Sequence, residues 1–131
     1  MKSFIVFRMS IKTTSEKKDE YIHFRVKGVF QSLDIDRPLI DVFYEIVESA
    51  DRYDCFKVLL DASELDYQIE TIQKNKIGEF VANICNKNLI KIACLRNSIH
   101  IDDFTELVAR NRGADFKFFD DEKEAINWLK D

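Results

Sequence analysis

The stretch Lys57-Val58-Leu59-Leu60-Asp61-Ala62-Ser63 decides the fold when it is read with the last third of the chain. From Phe56 to Leu60 the residues are apolar except for Lys57. A run this short and apolar suits a central strand covered on both faces, with Asp61 at its end. The later stretch runs Phe104-Thr105-Glu106-Leu107-Val108-Ala109-Arg110-Asn111-Arg112-Gly113, then Phe116-Lys117-Phe118-Phe119, then Ala125-Ile126-Asn127-Trp128-Leu129. It reads as a helix, a short strand and a closing helix. The first helix starts at Asp102 or Asp103 with Phe104, Leu107 and Val108 inward, and Gly113 fits the left-handed residue just past its end. Asp120 or Asp121 caps the last helix, which turns Ala125, Ile126, Trp128 and Leu129 inward.

Working outward, Phe4 to Ile11 is rich in strand formers, and Tyr21 to Phe30 alternates Ile22, Phe24 and Val26 with His23, Arg25 and Lys27. Period-two alternation is the mark of a half-buried strand. The polar segment Lys12 to Glu20 reads as the loop between them, giving an N-terminal antiparallel hairpin. A helix follows, entered near Asp36 and Pro38, with Leu39, Val42, Phe43, Ile46, Val47 and Ala50 at helical spacing and Asp51 to Asp54 at its end. Past Asp61, Ala62 to Asp66 reads as a loop into a second helix carrying Ile69, Ile72, Ile77, Phe80, Val81 and Ile84. Gly78 inside that helix costs about 1 kcal/mol relative to alanine, so it is expected to serve close approach to a neighbouring strand or a kink. Leu89 to Leu95 is a further strand. The order is β-β-α-β-α-β-α-β-α, an α/β fold with a mixed, mainly parallel sheet and helices packed on it.

A chain of 131 residues fits a single domain spanning 1–131, large enough to bury a core without metal or disulfide staples. The formal net charge of −4 keeps it soluble and argues against a nucleic-acid partner. Lys74, Lys76, Lys87 and Lys91 are spread over a helix and its exit and read as a solvated face. No apolar run reaches the length of a membrane span, and the N-terminus is too soon interrupted for a secretory signal, so a cytoplasmic protein is expected. Cys55, Cys85 and Cys94 lack metal-type spacing and read as small buried thiols.

These residues in this order resemble the SpoIIAA-like family of the STAS superfamily, a STAS/SEC14-like domain. Val58-Leu59-Leu60-Asp61-Ala62-Ser63 matches that family's central strand and its exit. The segment Val108 to Gly113, then Phe116 to Phe119 and Ala125 to Leu129, is similar to its closing part. The resemblance implies a non-enzymatic regulatory module that binds another protein through the helix after Asp61. Its SEC14 side implies the alternative, a pocket for a small hydrophobic ligand or lipid. One departure stands out. Anti-sigma-factor antagonists carry a phosphorylatable serine in an Asp-Ser-Ser-Gly-like turn, and here that region reads Glu64-Leu65-Asp66-Tyr67-Gln68-Ile69-Glu70-Thr71.

Open α/β sheets place ligands at the carboxyl ends of their strands. Two loops should meet there, Asp61 to Glu64 and Arg96 to His100. The candidate partner- or ligand-binding residues are therefore Asp61, Ser63, Glu64, Thr71, Asn97, Ser98 and His100. Each also has a plain reading: Asp61 can cap its own loop, and Ser63 can be a turn hydroxyl. His23 falls on the polar face of a strand, and no partner for either histidine is visible. A nucleophilic site joining His100 to Ser63 or Cys55 lacks an elbow or an oxyanion loop. A metal site at His100, Asp102 and Asp103 lacks a dedicated loop. Arg110 and Arg112 complement a helix C-terminus. With only Gly28, Gly78 and Gly113 present, no phosphate cradle exists. No catalytic residue, metal or cofactor is expected. The expected partner is a protein of unknown identity, or a small apolar ligand, and an edge strand or the hairpin offers a route to a homodimer.

Overall fold

The computed structural model describes residues 11–29, 36–66, 71–96 and 104–131. Its elements are β1 (Ile11–Lys17), β2 (Ile22–Val29), α1 (Asp36–Tyr53), β3 (Lys57–Asp66), α2 (Thr71–Asn88), β4 (Lys91–Arg96), α3 (Phe104–Asn111), β5 (Phe116–Phe119) and α4 (Glu122–Lys130). The five strands lie in the order β1-β2-β3-β4-β5. The β1–β2 pair is antiparallel and the other three pairs are parallel. The mixed, mainly parallel sheet read from the strand–helix alternation is the one formed.

Strand order that advances one step at a time, with right-handed crossovers, puts every crossover helix on the same face. Accordingly α1, α2 and α3 share one core with Ile22, Phe24, Val26, Val58, Leu60, Ile92 and Phe116. The closing helix α4 lies on the opposite face, where Ala125 and Leu129 pack on Leu59, Ala93, Leu95 and Phe119. Its apolar side packs on β3 to β5, and Glu122 at its start comes close to His23 of β2. The same face of β1 and β2 carries exposed Lys12, Thr14, Glu16, Arg25 and Lys27.

Two segments read as loops are strands. Lys12 to Lys17 forms most of β1, and the turn is confined to Lys18–Tyr21, closed by the Lys18 amide on the Tyr21 carbonyl at 2.8 Å. The reason is position. An edge strand with one solvated face needs few apolar residues, so Ile11, Thr13 and Ser15 turn partly inward while charges occupy the alternate positions. Of the strand read as Phe4 to Ile11, only Ile11 falls among the described residues. The second correction concerns β3, which runs on through Ala62 to Asp66 and keeps pairing with β2. Arg25 faces Asp61 and Lys27 faces Glu64, so Val26 alone opposes Ala62 and Ser63. That bulge shifts the register without ending the strand.

Gly78 does serve a close approach, but to a helix rather than a strand. A Cβ there would lie 2.7 Å from Val108 Cβ and 2.9 Å from the Thr105 carbonyl oxygen, so the backbone of α2 rests against α3. Leu107, read as inward, is 55% exposed, and Thr105 and Ala109 are buried instead. Glu106 reaches across to accept the Phe118 amide of β5 at 2.6 Å. Trp128 is half-buried rather than a core residue, held by the Phe119 ring and by Lys91, whose Nζ donates to the Trp128 carbonyl at 2.7 Å. Of the two acids offered as its cap, α4 uses Asp121, which accepts the Glu124 amide at 3.0 Å. Arg110 pairs with Glu106 of its own helix, and Arg112 bonds Glu79 of α2 at 2.8 Å.

Candidate functional site

The β2–β3 pairing beside the bulge brings a set of polar side chains together. Asp61 follows three buried apolar residues of β3 and points to the face that α4 half covers. It does not end the strand. Its register partner is Arg25, and His23 lies one pleat back on the same face of β2. Asp61 is 6% exposed and His23 is 7% exposed.

Each oxygen of Asp61 has its own partners. Oδ2 accepts from His23 Nε2 at 2.9 Å and lies 3.6 Å from Arg25 Nε. Oδ1 accepts from the Ser63 hydroxyl at 2.6 Å and from the Ser63 amide at 3.2 Å. Burial pushes the Asp61 carboxyl up, but the Ser63 hydroxyl, the His23 ring and the Ser63 amide more than offset this and hold it below the usual carboxylate value. Asp61 is therefore a charged group at neutral pH, and Arg25 is the cation beside it.

This order of groups decides what the cluster can do. In a nucleophilic site the histidine stands between the hydroxyl and the acid. Here the acid stands between the hydroxyl and the histidine. Among the described residues no hydrogen bond joins His23 to Ser63, and the Ser63 proton is already committed to Asp61. Nor are the buried thiols activated: burial pushes Cys85 and Cys94 up to about 12. Cys55 is only half-buried, against the expectation of a buried thiol, and its Sγ makes long contacts to the Glu20 and Lys57 carbonyls.

Of the sequence candidates, Asp61 is at the centre of this cluster, Ser63 is half-buried against it, and Glu64 is exposed on the next stretch of β3. Thr71 is the first residue of α2, beyond an interval outside the described residues. Asn97, Ser98 and His100, with Asp102 and Asp103, lie outside the described residues as well. The approach of the two segments is seen at its root, where Ala62 of β3 is the register partner of Arg96 of β4. Arg96 bonds Asp120 at 2.9 Å, and this hydrogen bond holds the Asp120 carboxyl below its usual value. His23 and Arg25 were not among the candidates. The available signal was their shared face on β2, which points toward the acid-bearing strand once β2 and β3 are neighbours. Among the described residues His23, Asp61 and Glu122 are the group whose metal-ligating atoms all lie within 4.8 Å of one another.

A family model described as SpoIIAA-like matches residues 21–130. The chain belongs to the SpoIIAA-like family. No curated protein matches it. Among solved structures it is similar to an anti-sigma factor antagonist from Mycobacterium paratuberculosis, with 12% identity, a TM-score of 0.56 and coverage of 93% of this chain and 96% of the other. It is also similar to an uncharacterised protein with a SpoIIAA-like fold from Shewanella loihica PV-4, with 21% identity, a TM-score of 0.51 and coverage of 92% and 93%. At these identities the likeness establishes the SpoIIAA-like fold and nothing about a ligand. No helix among the described residues is long and apolar enough to cross a membrane.

Proposed function

We propose that this SpoIIAA-like chain is a non-enzymatic regulatory module of the cytoplasm, a single domain that captures a protein partner at the carboxyl end of β3. The observation that carries the reading is the arrangement around Asp61. Serine, acid and histidine are present but in an order that ties them to one another and leaves no activated nucleophile. Beside the cluster, the exposed groups Arg25, Lys27, Glu64 and Asp66 lie on a part of the sheet face that α4 does not pack against. Oriented charges on a rigid strand pair favour recognition of a charged protein surface. The name of the Mycobacterium neighbour, an anti-sigma factor antagonist, agrees with a module that acts by binding a protein, though this is an argument from fold alone. Lacking the phosphoserine turn of that group, this chain would be controlled in another way.

Charge reversal at Glu64 tests the surface without touching the buried cluster. A bait carrying Glu64→Lys should lose a partner that the parent chain retains from lysate, while a bait carrying Glu124→Lys on α4 keeps it. Identical capture by all three would remove this surface from consideration. Ser63→Glu is a poor probe, because the new carboxylate would stand against Asp61 and destabilise the strand.

The small-ligand alternative has a groove of about 160 Å³ between α1 and α2, lined by Leu39, Ile40, Phe43, Lys76, Ile77 and Phe80. Pockets that enclose drug-sized ligands usually span about 300–1,000 Å³. The groove suits part of an acyl chain at most, so the partner-binding reading is preferred. Native mass spectrometry of freshly purified protein separates the two, since a co-purifying apolar molecule would favour the ligand.

A further inference from the structure

We propose that His23, Asp61 and Glu122 form a divalent-metal site that takes Zn²⁺ with three protein ligands. The residues come from β2, from β3 and from the first turn of α4, so the site exists only in the folded chain. One imidazole with two carboxylates is a donor set that Zn²⁺ accepts readily, and three protein ligands leave a fourth position for water. The metal would replace the proton that His23 Nε2 donates to Asp61. The neutral imidazole keeps its proton on Nδ1, the displaced proton passes to solvent, and the atoms themselves need move little. Ligands around a tetrahedral Zn²⁺ stand roughly 3.3 Å apart, from metal–ligand distances of about 2.0–2.1 Å. His23 Nε2 and Asp61 Oδ2 are 2.9 Å apart, and the Glu122 carboxylate lies within 4.8 Å of both. Glu122 is exposed and can swing inward, whereas the other two are fixed by burial.

Two features of the surroundings point to a cation. Ligating carboxylates are normally oriented through their second oxygen, and Asp61 Oδ1 is held by the hydroxyl and the amide of Ser63. A positive group already leans on the same atoms: Arg25 Nε is 3.6 Å from Asp61 Oδ2, and its Nη2 is 3.4 Å from His23 Nε2. The guanidinium therefore stands in for the charge that the ligand set attracts. Its side chain is 45% exposed, so it can withdraw into solvent when a metal enters. Arg25 is then a competitor, and its removal should strengthen metal binding.

The test uses the full chain with Cys55→Ala, so that the half-buried thiol cannot supply a ligand. Metal-free protein is titrated with Zn²⁺ alone by calorimetry, and its melting temperature is measured with and without the ion. The expected result is one Zn²⁺ per chain and a raised melting temperature, because an ion bound only to the folded state stabilises it. Glu122→Gln, which leaves the buried pair intact, should weaken binding by at least about tenfold and abolish the melting shift. Arg25→Gln should bind Zn²⁺ more tightly than the parent. Absence of binding by the parent, or equal binding by the parent and Glu122→Gln, would overturn the proposal.

Discussion

Asp61 faces opposed forces, and the outcome is visible in its direction of titration. Burial favours the neutral acid, but three hydrogen bonds from Ser63 and His23 favour the carboxylate and prevail. A group held below its unfolded value, near 3.8, adds stability above that value and loses it as the pH falls through the lower folded value. The destabilisation caused by Asp61→Asn should thus be full at neutral pH, about 1–3 kcal/mol for bonds to a charged group, and should shrink as the pH drops below about 3.8. Urea unfolding of both proteins at pH 7 and pH 3 reads this directly. Helix ends make a second residue-scale case. α1, α2 and α3 all close through an amide bonded to the carbonyl five residues earlier, Cys55 to Ala50, Ile90 to Cys85 and Ala114 to Ala109. The residue before each of these amides has a positive φ: Asp54 at 50°, Leu89 at 56° and Gly113 at 88°. Gly113 announces this role in the sequence, since glycine takes a positive φ without strain. Leu89 does not, because its conformation is imposed by the helix end against its own preference. It is 82% exposed, so little packing would be lost on replacement. Leu89→Gly should raise stability by roughly 0.5–1 kcal/mol, measured as an increase in unfolding free energy.

At the scale of elements, packing overrides local preference in both directions. Gly78 is a poor helix residue, and alanine would gain about 1 kcal/mol in an isolated helix. In this fold the methyl group would overlap Val108 and the Thr105 carbonyl. Gly78→Ala should therefore lower stability by roughly 1–3 kcal/mol, seen as a lower melting temperature, whereas a higher one would mean that α2 and α3 are not in close contact. The elements most legible in the sequence are those with an apolar face of regular period: α1, β4, β5, α4 and the first half of β3. Both misread segments are polar. β1 is stabilised by its pairing with β2 and by Thr13, whose hydroxyl donates to Glu45 of α1 at 2.7 Å. The second half of β3 alternates buried Leu65 with exposed Glu64 and Asp66, and its strand character comes from β2 beyond the bulge. Neither signal lies in the segment itself. For the same reason Asp61 stands out in the sequence as an acid after an apolar run, although the strand runs on past it, while its histidine partner, 38 residues away, becomes visible only through the register.

At the scale of the molecule, the two faces of the sheet are unequal. Three helices pack on one face, and the apolar side of α4 packs on β3 to β5 of the other. Among the described residues, the rest of that face carries exposed charges of both signs, with the His23–Asp61 pair at its border. The proposed recognition rests on this charged face rather than on bulk apolar attraction. Amide hydrogen exchange of the chain, alone and with a protein retained by the parent bait, tests this proposal most directly. Added protection should fall on Arg25 to Val29 and on Asp61 to Asp66. Protection confined to the outer faces of α1 and α2, with the open face of β2 and β3 unchanged, would contradict the account.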